Sequence, residues 1–247
     1  MPYLRVFSIL FFAFMLLNKI GIIPINFIDR TTLHYTFNGS ILILIFTLIL
    51  PLTTIIKLKI WQTKTNNEMK NLLENLDIKE EIDIYLSTNI FSNSAVTLYG
   101  WKKPIIVLGG NVVKKVNDSQ LKFILSHEAC HIKEKHLMKS FSSVLLSLVI
   151  SPIVILYFSS IIFEYSMLFT IILCASLYLF ILTLHYKFLQ RNEYKADIYA
   201  TKIVGKDIAI STLNRLKEIN SIKENKIGML ETHPSISKRI NKIIKNV

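Results

Sequence analysis

Cysteine is scarce in this chain, with only Cys130 and Cys174 among 247 residues. One lies inside a histidine-containing motif and the other inside a long apolar run. We therefore expect two small buried side chains and no disulfide between them. Disulfide-rich secreted domains are excluded by this composition, which agrees instead with a reducing cytoplasmic side.

Charged residues are missing from two long stretches, residues 141–163 and 167–186, which only three residues separate. Each stretch is about 20 residues long, which matches a bilayer core of roughly 30 Å. Charge-free runs of this length are rare in soluble domains, which argues against a buried helical hairpin. Two membrane helices joined by a short turn would return the chain to the side from which it entered.

Two earlier apolar runs, at residues 4–28 and 41–56, predict further membrane helices. Polar residues interrupt the first run, and a secretory signal peptide is the alternative there. Because no small-residue cleavage pattern follows the stretch 7–17, we favour an uncleaved helix. With about four membrane helices, both termini lie on one side, and the loops at 29–40 and 164–166 lie outside.

Acidic residues number only 17, against 29 lysines and arginines, which gives a net charge of +12. Of the basic residues, 11 lie in 61–140, 13 in 187–247 and five elsewhere. Nucleic-acid binding is the simplest interpretation of such charge, but the chain is also 51% hydrophobic with positive mean hydropathy. A positive-inside bias and attraction to anionic lipid account for both properties. We therefore predict a multi-pass protein of the cell membrane, with its basic segments in the cytoplasm, the bilayer as partner and no nucleic acid.

The most informative motif is His127-Glu128-Ala129-Cys130-His131. Histidines four positions apart on a helix lie about 40° apart around its axis, so both rings point to the same side. That geometry suits two ligands of one tetrahedral Zn²⁺ per chain, and the carboxylate of Glu128 can reach a water on the metal. The apolar hairpin would bring Glu193 back as third ligand, leaving the fourth position for water.

Three other polar residues need an interpretation. Asp197 lies one helical turn after Glu193 and would accept a hydrogen bond from the N–H of a ligand histidine. His233 precedes Pro234, and either a hydrogen bond to the tetrahedral intermediate or a structural cap would explain it. His136 is interpreted as a surface residue, because on a continuous helix it lies about 140° from His131.

The remaining polar segments predict a compact α+β domain. Residues 63–76 have helical periodicity, and a helix capped by Asp118 or Ser119 is expected to run through the histidine motif towards Met138. Strands are predicted at 82–86, 95–99 and 104–108, and two further helices at 207–219 and 235–244.

These motifs resemble the HtpX-type and CAAX prenyl endopeptidase family of membrane zinc metallopeptidases, over roughly residues 70–245. The matching blocks are the motif at 127–131, Glu193-Tyr194-Lys195-Ala196-Asp197 and Thr232-His233-Pro234-Ser235. The resemblance implies that His127, His131 and Glu193 bind zinc and that Glu128 is catalytic. Residues 99–108 also resemble the beta-lactam sensor antirepressor metallopeptidases. In those, however, the third ligand usually lies closer to the histidine pair and is followed by Cys-Asp.

The expected fold is an α-helical membrane protein of about four transmembrane helices with a small α+β zincin-like (gluzincin) metalloprotease domain on the cytoplasmic side. Four segments are predicted. They are an N-terminal transmembrane hairpin at 1–61, a catalytic segment with the histidine motif at 62–140, a second transmembrane hairpin at 141–186, and a catalytic segment with Glu193 and the C-terminal helices at 187–247.

The expected function is a zinc endopeptidase that hydrolyses protein or peptide substrates, in HtpX-like quality control or peptide processing. Zinc lowers the pKa of its bound water to near 7, and Glu128 acts as general base and then protonates the leaving amine. The strand at 95–99 would hold an extended substrate if it borders the cleft. A membrane sensor or scaffold with a zinc site is the alternative, as is a signalling protease of the antirepressor type. The oligomeric state is left open.

Overall fold

The structure is a computed structural model of the chain. It describes residues 2–22, 30–60, 63–65, 68–73, 78, 80–88, 92–99, 103–151, 154–155, 167–220 and 233–246. The chain divides into two compact units. The first, here called the apolar unit, consists of residues 1–53 and 142–181, and the second, here called the catalytic unit, consists of 54–141 and 182–247. The four segments predicted from the sequence stay a prediction.

The described elements alternate between long helices and short strands. The helices are α1 Pro2–Lys19, α2 Arg30–Ile60, α3 Gly110–Lys115, α4 Asp118–Lys133, α5 His136–Leu145, α6 Met167–Val204, α7 Lys206–Asn220 and α8 Ile236–Asn246. The strands are β1 Thr63–Thr65, β2 Asp83–Ser87, β3 Ala95–Tyr99 and β4 Pro104–Gly109. A 3-10 helix covers Glu68–Leu72 and a π-helix covers Leu146–Ile150.

In the apolar unit, α1 packs on the first part of α2. The rings of Phe12 and Phe37 lie 5.9 Å apart, and Nζ of Lys19 lies 4.1 Å from the centre of the Phe37 ring. The loop predicted at 29–40 is therefore wrong from Arg30 onwards, because this segment begins α2. Phe37 of this segment is buried against α1.

Within the described residues, α6 alone is long and apolar enough to cross a membrane. Its first half, which contains the predicted run 167–186, exposes many large apolar side chains, as a lipid-facing helix does. Shorter apolar helices occur at Ser8–Lys19 and Leu33–Ile45. Much of the run 141–163 and all of the turn at 164–166 lie outside the described residues. One candidate membrane helix is thus found, and the number of four stays a prediction.

The catalytic unit contains a sheet with the strand order β1-β2-β4-β3. Strands β2 and β4 are parallel, and the two outer pairings are antiparallel. All six residues of β4 are buried, as expected for an apolar strand in the interior of a sheet. Among the described strands, β3 has β4 as its only neighbour and forms an edge of the sheet.

Helices α4, α7 and α8 pack with this sheet around one core, in which α4 and α7 are in direct contact. The largest fully buried side chains of this core are Ile84, Ile106, Leu108, Phe123, Leu125, Ile132, Leu213 and Ile243. A close-packed core of this kind fixes the backbone of α4, which carries the histidine motif.

The helix predicted at 63–76 is wrong. Thr63 to Thr65 instead form β1, in which Thr63 pairs with Ser87 of β2, and the following residues form the 3-10 helix. Met69 and Leu72 pack against the core from this short helix, so their spacing reflects burial and not a long helix.

Helix α4 begins and ends at other residues than predicted. Its cap is Asn117, not Asp118 or Ser119: the side chain of Asn117 accepts a hydrogen bond from the backbone N–H of Gln120, whose side chain accepts one in return. The helix ends at Lys133, well before Met138. Lys135 has a φ of 53°, in the left-handed region that breaks a helix, and α5 begins immediately after it.

Candidate metal centre and active-site cleft

Three side chains predicted as metal ligands converge in the catalytic unit. His127 and His131 project from α4, and Glu193 projects from the second half of α6. The two Nε2 atoms lie 3.2 Å apart. Oε2 of Glu193 lies 3.6 Å from Nε2 of His127, and its Oε1 lies 3.4 Å from Nε2 of His131. One ligand atom from each of the three residues can thus be chosen with all three within 4.8 Å of one another.

These separations fit a tetrahedral metal. With metal–ligand bonds of about 2.0–2.1 Å, the corners of a tetrahedron lie roughly 3.3–3.4 Å apart. The nearest donor atoms of each pair of residues lie between 3.2 and 3.6 Å apart, with a different oxygen of Glu193 facing each histidine. Two imidazoles and one carboxylate also form a donor set that zinc uses in catalytic sites, where a fourth position stays open.

The electrostatics of these residues suit a metal ligand set. Burial acts to lower the pKa of His127, but hydrogen bonds to Asp197 and Glu193 outweigh it and raise the pKa to about 10. Burial and the neighbouring His127 lower the pKa of His131 to about 3, so its ring is neutral. Although burial acts to raise the pKa of Glu193, hydrogen bonds with His127 and His233 hold it below the ordinary range. A metal ion would therefore replace one proton on His127.

Glu128 is held by a residue that the sequence interpretation missed, Thr97 of β3. The hydroxyl of Thr97 donates a hydrogen bond of 2.6 Å to Oε2 of Glu128. The hydroxyl oxygen also lies 3.1 Å from the backbone oxygen of Glu128. Burial raises the pKa of Glu128, and His127 and Thr97 offset part of the rise. A carboxyl group with a raised pKa is suited to taking up and releasing a proton. The signal in the sequence was a single threonine between the apolar residues of this strand.

Asp197 lies behind the candidate ligand His127, with its Oδ1 3.0 Å from Nδ1 of the ring. Both of its oxygens also accept hydrogen bonds from Arg239 of α8, at 2.5 and 2.8 Å. Burial acts to raise the pKa of Asp197, but the guanidinium of Arg239 holds it below its ordinary value. The sequence predicts no functional role for Arg239, because a partner 42 residues away leaves no local pattern.

His233 lies beside the third candidate ligand, with its Nδ1 3.0 Å from Oε2 of Glu193. That hydrogen bond raises the pKa of His233. Its side chain is 73% exposed, so one face of the ring is open to the cleft. Capping of α8 falls instead to Ser235, whose Oγ accepts a hydrogen bond from the N–H of Lys238.

His136 is not a surface residue, and the prediction was wrong. It is 2% exposed, and its Nδ1 lies 2.9 Å from Nδ1 of His131. Burial lowers the pKa of His136 to about 4. The helical wheel failed because α4 ends at Lys133 and a turn separates the two histidines.

A cleft of about 570 Å³ opens over these residues. Ala95, Val96 and Thr97 of the edge strand β3 line it, together with the ligand residues and apolar side chains of α4 to α8. Asn93, which precedes β3, also lines the cleft and accepts a hydrogen bond from Asn111. The strand predicted at 95–99 therefore borders the cleft.

Both cysteines are free, as predicted. Cys130 lies on α4 and is 2% exposed, and burial raises the pKa of its thiol to about 12. Cys174 on α6 is only half-buried, whereas a buried side chain was predicted. Neither belongs to the group of candidate metal ligands found among the described residues.

Comparisons with known proteins agree with this class of site, that of a metallopeptidase. The family model described as peptidase family M48 matches residues 60–247. The fold is similar to the crystal structure of Ste24p from S. mikatae, with a TM-score of 0.58 and 14% identity. The match covers 97% of this chain and 66% of that chain, and at this identity it bears on the fold alone. No curated protein matches.

The family model covers most of the chain, including the whole histidine motif and the ligand residue on α6. This chain belongs to peptidase family M48. The family resemblance found in the sequence is thereby confirmed, and the Ste24p likeness shows a similar fold. The number of membrane helices and their orientation stay a prediction.

Proposed function

We propose that this protein is an integral-membrane zinc endopeptidase, with His127, His131 and Glu193 as zinc ligands and Glu128 as general base. The observation that carries the proposal is the convergence of two imidazoles and one carboxylate, with one ligand atom from each within 4.8 Å of the others, beside the buried carboxyl group of Glu128. Zinc held there would supply Lewis acidity, lowering the pKa of a water at the open position and stabilising negative charge on the substrate oxygen.

The remaining steps, proton transfer and orientation of the reacting groups, are assigned to protein side chains. Glu128 accepts a proton from the attacking water and delivers it to the leaving amine, while the hydroxyl of Thr97 keeps its carboxylate in place. The carboxylate of Asp197, 3.0 Å from Nδ1 of His127, would hold the orientation of that ring. The exposed ring of His233 can donate a hydrogen bond to the carbonyl oxygen under attack.

The edge strand β3 supports a mode of substrate binding. An extended peptide would pair with the free side of β3 and so pass over the carboxylate that Thr97 holds. Pairing of this kind is made by backbone groups, so it favours unfolded or extended segments and tolerates many side chains. That breadth suits removal of damaged membrane proteins or processing of peptides, as expected for an HtpX-type protease.

Replacing the proposed base tests the function. Glu128→Gln keeps the shape of the side chain but removes the proton acceptor, so peptide cleavage should fall by at least roughly 10²-fold. Zinc content should stay near one per chain, because Glu128 is not a proposed ligand. Glu134→Gln is the matched control: this carboxylate follows the same helix and pairs with Lys139 at the surface, and cleavage should be unchanged.

The result separates the candidate functions. Cleavage by Glu128→Gln at the wild-type rate would exclude the hydrolytic mechanism. Zinc binding by both proteins without any cleavage, tested on membrane proteins and unfolded peptides, would favour the sensor or scaffold.

We also propose that the protein spans the cell membrane several times, with the catalytic unit in the cytoplasm. The exposed apolar half of α6 and the basic residues of the catalytic segments support this. Single cysteines introduced at Gly110, Tyr165 and Val247 would be labelled from the two sides of sealed cells. Gly110 and Val247 should be protected from an external reagent and Tyr165 should react, and the reverse pattern would show the opposite orientation.

A further inference from the structure

The metal-ligand histidines have unequal environments. His127 is backed by the carboxylate of Asp197, which carries a full negative charge and is itself paired with Arg239. His131 has no carboxylate at its Nδ1 among the described residues; the partner there is a ring nitrogen of His136. The rings of His131 and His136 lie nearly perpendicular, with an interplanar angle of 70° and centres 4.9 Å apart.

The backbone places His136 where it is. Glu134 closes α4 with its N–H bonded to Cys130, and Lys135 takes a left-handed conformation before α5 starts. This turn brings Nδ1 of His136 to within 2.9 Å of Nδ1 of His131. On a continuous helix, the side chain of His136 would point in another direction. The backbone N–H of Lys139 then bonds to the carbonyl of Lys135, which secures the first turn of α5.

The protons of this pair follow from the geometry. Nε2 of His131 faces the other two donors, so a metal there leaves the hydrogen of the ring on Nδ1. That N–H points to Nδ1 of His136, which must therefore be the acceptor and carry its own hydrogen on Nε2. The Nε2 of His136 is buried and has no hydrogen-bond partner in the described part of the chain. The ring of His136 is thus oriented by its bond to His131.

We propose that His136 is a positioning residue that orients the zinc ligand His131 through an uncharged hydrogen bond, as Asp197 orients His127 through a charged one. The inference depends on the zinc centre proposed above. A neutral acceptor fixes the ring and its tautomer without adding negative charge, so it leaves His131 a weaker electron donor than His127. The metal centre then keeps more of its Lewis acidity than it would with two carboxylate-backed histidines.

Zinc affinity of the full chain, measured by competition with a chelator, tests this without reference to cleavage. His136→Asn keeps an acceptor close to the position of Nδ1, whereas His136→Leu has nearly the same shape as that variant and no acceptor. We expect His136→Leu and His136→Phe to bind zinc about 10- to 100-fold more weakly. His136→Asn should stay within a few-fold of wild type, and His34→Phe, which removes an exposed histidine of α2, should have no effect.

A merely structural role would give a different pattern. Equal losses in His136→Asn and His136→Leu would mean that ring packing matters and that the hydrogen bond does not. Wild-type zinc affinity in His136→Leu would also overturn the proposal. If His136→Phe does not fold, comparison of His136→Asn with His136→Leu still tests the hydrogen bond. These outcomes are independent of the Glu128→Gln result, in which zinc is retained and cleavage is lost. A wild-type chain that binds no zinc would overturn the inference together with the metal centre.

Discussion

Removal of Arg239 should destabilise the metal centre more than any surface substitution. The Asp197 carboxylate is 1% exposed and the Arg239 side chain 14% exposed, and two hydrogen bonds join them. Arg239→Met keeps much of the apolar stem but leaves the carboxylate with His127 as its only charged neighbour among the described residues. Breaking a buried pair of this kind costs about 3–5 kcal/mol. For a chain of this size, that corresponds to a fall in Tm of roughly 6–20 °C.

Thermal unfolding of the metal-free protein in detergent measures this change. Arg215→Met is the matched control, because Arg215 also pairs with a carboxylate, that of Glu218, but at the surface. Loss of that pair and of one bond from Arg215 to a backbone carbonyl should cost about 1 kcal/mol. If Arg239→Met unfolds at the same temperature as Arg215→Met, the ion pair does not support the site as described.

The stabilisation by the Asp197–Arg239 pair should decrease as the pH is lowered. The pKa of Asp197 is lower in the folded protein than its ordinary value of 3.8. A lowered carboxyl pKa means that the stabilisation is present above about that value and is lost as the pH falls through the folded pKa. The difference in Tm between wild type and Arg239→Met should therefore shrink below about pH 4. A difference that grew on acidification would contradict this account.

Substitutions at three further residues test individual contacts. Asp197→Asn should weaken zinc binding about 10- to 100-fold, measured by chelator competition, because the amide supports the ring of His127 less well. Thr97→Val should lower peptide cleavage at least about 10-fold at unchanged zinc content, since a hydrogen bond to a charged group contributes about 1.5–3 kcal/mol. Thr97→Ser should restore cleavage, and failure to do so would mean that the methyl group matters instead. Asn117→Ala removes the cap of α4 and should cost about 1 kcal/mol in thermal unfolding, while an unchanged Tm would show that the cap is dispensable.

The sequence predicts best those contacts of the site that join residues close together in the chain. His127 and His131 are one helical turn apart, so their common direction follows from helix geometry wherever the helix lies. Glu193 required one more step, the return of the chain after an apolar hairpin. In the structure its carboxylate lies 3.4 Å from His131. Strand β3 has the bounds predicted for it, because alternation over five residues is a local property.

The contacts that sequence could not predict join distant or irregular segments. The Arg239–Asp197 pair depends on how α8 packs on the core, which no local pattern specifies. The prediction for His136 failed because neither Glu134 nor Lys135 is a usual helix breaker, and the left-handed residue is a lysine where glycine is preferred. The sequence predicts a helix in place of strand β1 because the apolar residues that follow it have helical spacing. In each case the tertiary structure outweighs the local preference.

The pairing of α6 with α8 has a consequence for synthesis on the ribosome. The chain is made from its N-terminus, so the histidine motif and Glu193 are both complete well before Arg239 is added. During that interval the carboxylate that backs His127 lacks its guanidinium partner, and the segment of α8 that closes this side of the core is absent. The centre therefore matures in two stages, and a nascent chain that meets zinc early meets ligands not yet held in their final orientation.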